Sequence, residues 1–206
     1  MELLKQANGN LPRTEEEKKQ MIVNAAHCYG QFLDALGYDW RADPNSANTP
    51  HRYAKSFVED LIVGSISEAP KITAFPNDGY DGIILQKNIR ITSLCSHHHR
   101  EVKGRCAIAY IPGKDGKVIG LSKLNKVADF YARRFQLQEA MTQQIHDHID
   151  KACEGNRGIA VIVEATHGCV SCRQLRDEST MVTSKLSGYF FTNEVGTRIE
   201  LFNLLK

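Results

Sequence analysis

Two short runs concentrate the side chains able to hold a metal ion. Cys95-Ser96-His97-His98-His99 follows a segment in which Ile89, Ile91 and Ser93 alternate with Arg90, Thr92 and Leu94. His167-Gly168-Cys169-Val170-Ser171-Cys172 follows the apolar run Gly158 to Ala165. Thiolate and imidazole together suit Zn²⁺. Cys95 and His98 have two residues between them, a spacing that lets both turn toward one ion. Two kinds of site fit. A closed structural site would use Cys95, His98, Cys169 and Cys172. A catalytic site would use three protein ligands and leave the fourth position to water. The C-x-x-C spacing favours the closed form. If Cys169 to Leu175 is a strand, however, residues three apart point to opposite faces, and only one of the two cysteines serves. His97, His99 and His167 remain as polar neighbours of the ion.

Charged groups come next. Ser122 and Lys126 stand one helical turn apart with Lys123 beside them, and Ser122 is a candidate cap whose helix start offers amides to an anion. Arg52 and Lys55 are three apart on a helix and share a face. Arg173 closely follows Cys169. Gathered near a metal, these groups would suit a polyphosphate. Glu139 is a helix acid able to accept paired N–H donors. His146 and His148, two apart on a helix, face different ways and read as surface residues. His27 and His51 have no motif around them. Cys28, Cys106 and Cys153 sit among apolar residues and read as small buried hydrophobes.

The elements that must position these groups show in the periodicity. Thr14 to Leu36 reads as a helix, with Thr14 and Glu17 as a capping box and Gly37 as its stop. A second helix opens at Thr49-Pro50 and runs to Gly64. Pro70 to Gly82 is rich in turn residues and reads as a loop. Strands follow after Gly82 and over Arg105 to Ile111, with a short extended piece at Val118 to Gly120. One long helix is predicted from Ser122 to Ala152, with a phase shift near Arg133 to Gln136. Gly158 to Ala165, Cys169 to Leu175 and Met181 to Phe191 read as strands, and Thr197 to Leu205 as a final helix. Helices first, then strands with one helix inserted, predict an α+β fold with a mostly antiparallel sheet. The chain divides into an N-terminal helical region, 1–64, and a second domain, 65–206.

Composition narrows the class. The chain has 206 residues, 42% hydrophobic and 24% charged, as expected of a globular protein with a substantial core. A formal net charge of +2 gives no support for nucleic-acid binding. No apolar run approaches the ~20 residues that cross a bilayer. Met1 to Gln20 lacks the apolar core of a secretory signal, which predicts a cytoplasmic protein without disulfides.

Taken in order, Asn48-Thr49-Pro50-His51-Arg52-x-Ala54-Lys55, Cys95-x-His97-His98, Tyr110-Ile111-Pro112, Val118-Ile119-Gly120-Leu121-Ser122-Lys123-Leu124, Gln136-x-Gln138-Glu139, Glu164-Ala165-Thr166-His167-x-Cys169 and Thr183-Ser184-x-Leu186-Ser187-Gly188-x-Phe190 resemble GTP cyclohydrolase I. The likeness runs from about residue 45 to the end. It implies a tunnelling fold, an antiparallel sheet with helices on one face behind an N-terminal helical extension, assembled into homodecamers with active sites between subunits. It implies Zn²⁺ on Cys95, His98 and Cys169, with a water in the open position. His167 and His97 become acid–base groups, with Ser122 and Lys123 assisting the ribose steps. Glu139, helped by Gln138, would anchor the guanine edge. Arg52, Lys55, Lys126 and Arg173, with Ser122 and Lys123, would hold the triphosphate and ribose. The implied reaction hydrolyses GTP at C8 to formate and 7,8-dihydroneopterin triphosphate. Two rivals stand beside it: a purine or pterin enzyme on the same fold with altered chemistry, and a non-catalytic zinc module. The family usually has glutamate at Ser96 and arginine at Lys126, and a more apolar stretch at His99-Arg100-Glu101.

Overall fold

The computed structural model describes residues 2–173, 175–193 and 196–206. It divides into two compact units, Met1–Glu68 and Ala69–Lys206.

The first unit is helical. Helix α1 (Glu15–Ala35) begins at the capping box the sequence predicts: the Thr14 hydroxyl accepts from the Glu17 amide, and the Glu17 carboxylate accepts from the Thr14 amide. Helix α2 (Thr49–Ser56) has proline in its first turn, and Asn48 rather than Thr49 is its cap. The segment does not continue as one α-helix to Gly64. A π-helical turn spans Phe57–Leu61, and a four-residue helix α3 (Val63–Ile66) follows with Gly64 inside it. Ile22 packs with Ala54, Val58 and Ile66. That core lies one step out of phase with the Met21–Ala25–Cys28–Phe32 stripe. Cys28 is therefore exposed, contrary to expectation, and lines a groove of about 540 Å³ with Tyr29, Phe32 and Tyr53.

The second unit holds the sheet. Its strands are β1 (Ala74–Pro76), β2 (Ile84–Cys95), β3 (Glu101–Ile111), β4 (Lys117–Ile119), β5 (Phe135–Gln136), β6 (Gly158–His167) and β7 (Thr180–Leu186). The main sheet has the order β5-β2-β3-β6-β7 and is antiparallel except for the short β2–β5 pair. The predicted loop before Gly82 contains β1, which pairs with β4. Helices α4 (Leu121–Ala132) and α5 (Gln138–Ala152) lie on one face, where Leu124, Val127, Met141, Ile145 and Ile149 meet Ile91, Cys106, Ile108 and Val161. Two short C-terminal helices, α7 (Gly188–Thr192) and α8 (Thr197–Leu205), cover part of the other face through Phe190 and Leu201, against Ala109, Ile111 and Ala160. Among the described residues, no helix is long and apolar enough to cross a membrane.

Three expectations change here. The long helix of 122–152 is two helices. Between them Phe135 and Gln136 pair in parallel with Leu94 and Cys95, and the α5 axis restarts beside the end of β2. Ser122 is not a cap; Gly120 precedes the first turn of α4. The strand expected from Met181 to Phe191 ends at Leu186, because Gly188, at φ +53° and packed against the Arg157 carbonyl, turns the chain into α7.

Helix α5 carries a polar residue at every fourth position facing β7 and the turn after it. Gln138 donates to the carbonyls of Val163 and Met181, Thr142 shares a hydrogen bond with Thr183, and His146 Nε2 lies 3.0 Å from Ser187 Oγ. His146 is 4% exposed and also contacts Asp147 at 3.0 Å. The surface assignment for it is thus overturned, and His148 is half-buried against the Tyr131 hydroxyl. Cys106 and Cys153 are buried as expected.

Gly104 is the tightest point of the sheet. It pairs with Ile91 on one side and Ala165 on the other. A Cβ there would sit 1.9 Å from the Glu164 carbonyl oxygen and 2.6 Å from the Ala165 Cα. Gly104→Ala is therefore expected to push β3 from β6 and cost about 1–3 kcal/mol, measured by denaturant unfolding.

Candidate metal centre and its surroundings

The strand periodicity puts the candidate groups on one face. Ile89, Ile91, Ser93 and Cys95 of β2 point to the α4/α5 side, as do Val161, Val163, Ala165 and His167 of β6. Cys95 and His167 thus lie at the same end of the same face, on either side of Val102 in β3.

The turn after Cys95 is held tightly. The Cys95 amide donates to Arg100 O at 2.8 Å, and the His99 amide to Cys95 O at 2.9 Å. His99 adopts φ +50°, unusual for a residue with a side chain, and its ring stacks on Phe135 with centroids 4.0 Å apart. Ser96 N donates to Gln136 O. The short β5 therefore braces the turn that presents His97 and His98. This explains how His99 serves the site: it is a support for the turn and lies outside the ligand group.

Cys95, His98 and Cys169 each offer one ligand atom, and these atoms lie within 4.8 Å of one another. Cys95 is buried, Cys169 half-buried and His98 exposed. The His97 Nδ1 is 3.9 Å from the Cys95 sulfur. Burial and a hydrogen bond with the Cys95 thiol push the Cys169 thiol up. A divalent cation would reverse that bias by favouring thiolate. The donor set, two sulfurs and one imidazole, fits zinc.

Cys172 is outside the group, though not for the strand reason. Residues Gly168–Ser171 form a short helical turn, α6, in place of the expected strand, whose Gln174 lies outside the described residues. A Cβ at Gly168 would sit 2.9 Å from the Glu101 carbonyl oxygen, so the chain bends against β3. The exposed Cys172 thiol then donates to the Gly168 carbonyl. Cys172→Ala is expected to leave the metal content per subunit unchanged by elemental analysis. Loss of the ion would point to a closed four-ligand site.

His167 Nε2 lies 2.8 Å from Gln138 Oε1. Burial pushes the His167 imidazole down, and the Glu139 carboxylate opposes the shift. Glu139 is exposed in the first turn of α5, near enough for its charge to act on His167. Burial lowers His98 as well, and the positive charges of Arg173, His97 and Arg100 add to it. Arg173 is thus near the ligands, where it favours anions.

The remaining sequence candidates lie elsewhere in the chain. Ser122, Lys123 and Lys126 stand in the first turns of α4, at the end where Asn125 bonds Gln86. Helix α4 runs along β2 from Gln86 to Leu94, whose amide donates to Arg134 O. Cys95 is nine positions along β2 from Gln86, about 25–30 Å. One subunit therefore does not bring Ser122, Lys123 and Lys126 to the metal ligands. Arg52 and Lys55 lie exposed on α2 in the first unit, with Lys55 3.7 Å from Glu59.

Sequence reasoning missed Phe135, Thr142 and Thr183 as supports of the site. Phe135 had a signal in the phase shift near Arg133; the threonine pair had none.

The profile of the family described as GTP cyclohydrolase I matches residues 25–206. A GTP cyclohydrolase 1 of Vibrio campbellii is 37% identical over 195 residues, 94% of this chain and 87% of that protein. One from Tolumonas auensis is 40% identical over 190 residues, covering 91% and 85%. One from Flavobacterium johnsoniae is 37% identical over 196 residues, covering 94% and 84%.

Proposed function

Because the chain belongs to the GTP cyclohydrolase I family, with that family's tunnelling fold and hydrolase class, we propose that it is a zinc-dependent enzyme opening the imidazole ring of GTP at C8 to give formate and 7,8-dihydroneopterin triphosphate. The observation that carries this reading is the convergence of Cys95, His98 and Cys169 beside His167 and Glu139 at one end of one sheet face.

A zinc ion on those three ligands would supply an activated water, with its pKa lowered toward about 7. The protein's own groups do the rest. Glu139 accepts from N1–H and the 2-amino group of guanine, which turns the C8 edge toward His167. His167 exchanges a proton with N7 as the ring opens. Burial lowers the imidazole, and the nearby Glu139 charge works against that shift. His97, 3.9 Å from the Cys95 sulfur, is placed for the later proton transfers. Arg52, Lys55, Lys123, Lys126 and Arg173, with the Ser122 hydroxyl, bind triphosphate and ribose. Binding energy from the phosphates, remote from C8, holds the base in place.

The separation of Ser122, Lys123 and Lys126 from the metal ligands supports a homo-oligomer in which a neighbouring subunit completes each site, a decamer in our reading. The sheet favours lateral joining: among the described residues β7 pairs only with β6, and β2 has no outer partner before Leu94. The cytoplasm is the proposed compartment, since thiolate ligands need reducing conditions. The test is direct: purified zinc-loaded protein is incubated with GTP, and formate is measured together with neopterin fluorescence after oxidation. Both products are expected in equal amounts. Formate without a pterin would favour altered chemistry on the same fold, and neither product with zinc intact would overturn the enzymatic reading.

A further inference from the structure

We infer that Gln138 is a positioning residue that holds His167 as its Nε2–H tautomer, leaving Nδ1 as the nitrogen that trades a proton with the substrate. The inference rests on the reading of His167 given above, and it gives Gln138 a role other than helping to bind guanine.

Gln138 is 3% exposed, and its amide is fully occupied inside the protein. The amide nitrogen donates to the Val163 carbonyl at 3.0 Å and the Met181 carbonyl at 2.9 Å, with Thr183 Oγ1 at 3.2 Å. Turning the amide over would set its oxygen against two carbonyl oxygens at those distances. Such acceptor–acceptor contacts leave buried groups unsatisfied, so the network assigns the amide one way. Its oxygen therefore faces His167 Nε2 at 2.8 Å and requires a proton there. Neutral imidazole has one N–H, and with that hydrogen on Nε2 the lone pair is on Nδ1. Nδ1 is then the ring nitrogen left available to the substrate. Nε2–H stays bonded to Gln138 throughout.

The support behind Gln138 is rigid. Thr142, one turn later, bonds both the Gln138 carbonyl and Thr183. Val163 belongs to the strand that carries His167, and Met181 to its neighbour. Gln138 thus ties the orientation of the ring to the sheet, in the manner of a group that orients a catalytic base.

Solid-state ¹⁵N spectra of the zinc-loaded full chain, labelled at histidine, test this on the wild type, with His167 assigned as the signal lost in His167→Asn. An Nε2–H signature with bare Nδ1 is expected, and an Nδ1–H signature overturns the inference. Gln138→Met gives the kinetic arm. A kcat lowered about 10–100-fold with KM for GTP within twofold supports positioning. A tenfold rise in KM with kcat unchanged would make Gln138 a base-binding residue and overturn the inference. If the variant does not fold, the wild-type spectrum decides alone. Absence of formate from wild-type protein would sink the function while the tautomer remained readable.

Discussion

Replacing Cys169 with alanine is expected to strip the metal from the protein and to lower formate release from GTP by at least roughly 1,000-fold. Cys169 is one of three candidate ligands drawn from two distant stretches of chain, and it stands at the bend where β6 gives way to α6. Two donors from one turn, Cys95 and His98, would remain. They cannot enclose an ion that needs three protein donors to leave only one open place. Elemental analysis gives the metal content, and a coupled formate assay gives the rate. An ion retained at full stoichiometry with near-normal turnover would rule out Cys169 as a ligand. Circular dichroism should be close to wild type, since Cys169 is only half-buried and packs at the edge of a small cluster with Cys95, Val102 and Ala165.

The second large effect is at His167. Its replacement by alanine is expected to leave the metal in place and to reduce C8 opening by about 100- to 10,000-fold, the usual range for a lost acid–base group. Burial lowers the imidazole below its ordinary value, and the Glu139 carboxylate opposes that shift. Alanine removes the exchanging nitrogen and leaves the Gln138 oxygen without its donor. Full zinc content beside near-normal formate release would remove His167 from the mechanism. Set beside Cys169→Ala, the pair separates holding the ion from moving the proton.

Much of this arrangement could be read from the sequence, for identifiable reasons. Alternation in Ile89 to Leu94 and the apolar run from Gly158 declared β2 and β6 and put Cys95 and His167 at their ends; that the two ends lie together shows only in the pairing of both strands with β3. The C-x-x-H at Cys95 pointed to a pair whose side chains come together, since a tight turn brings residues three apart into reach. Periodicity failed where partners are distant. Phe135 and Gln136 form a strand only because Leu94 and Cys95 lie alongside, and the apolar stripes of α4 and α5 line one core, so the break resembled a phase shift. His146 looked like a surface residue because its partner, Ser187, is 41 residues away. Cys169 to Leu175 had strand-like composition, but the approach of Gly168 to Glu101 bends the chain first.

The polar residues at 138, 142 and 146 have one more consequence. They act as successive teeth that mesh α5 with the sheet, so the helix cannot creep along its axis without breaking several bonds together. His146 stands eight residues from Gln138, about 12 Å along the helix. A change at this remote tooth would loosen the hold of Gln138 on His167 while touching none of the candidate ligands.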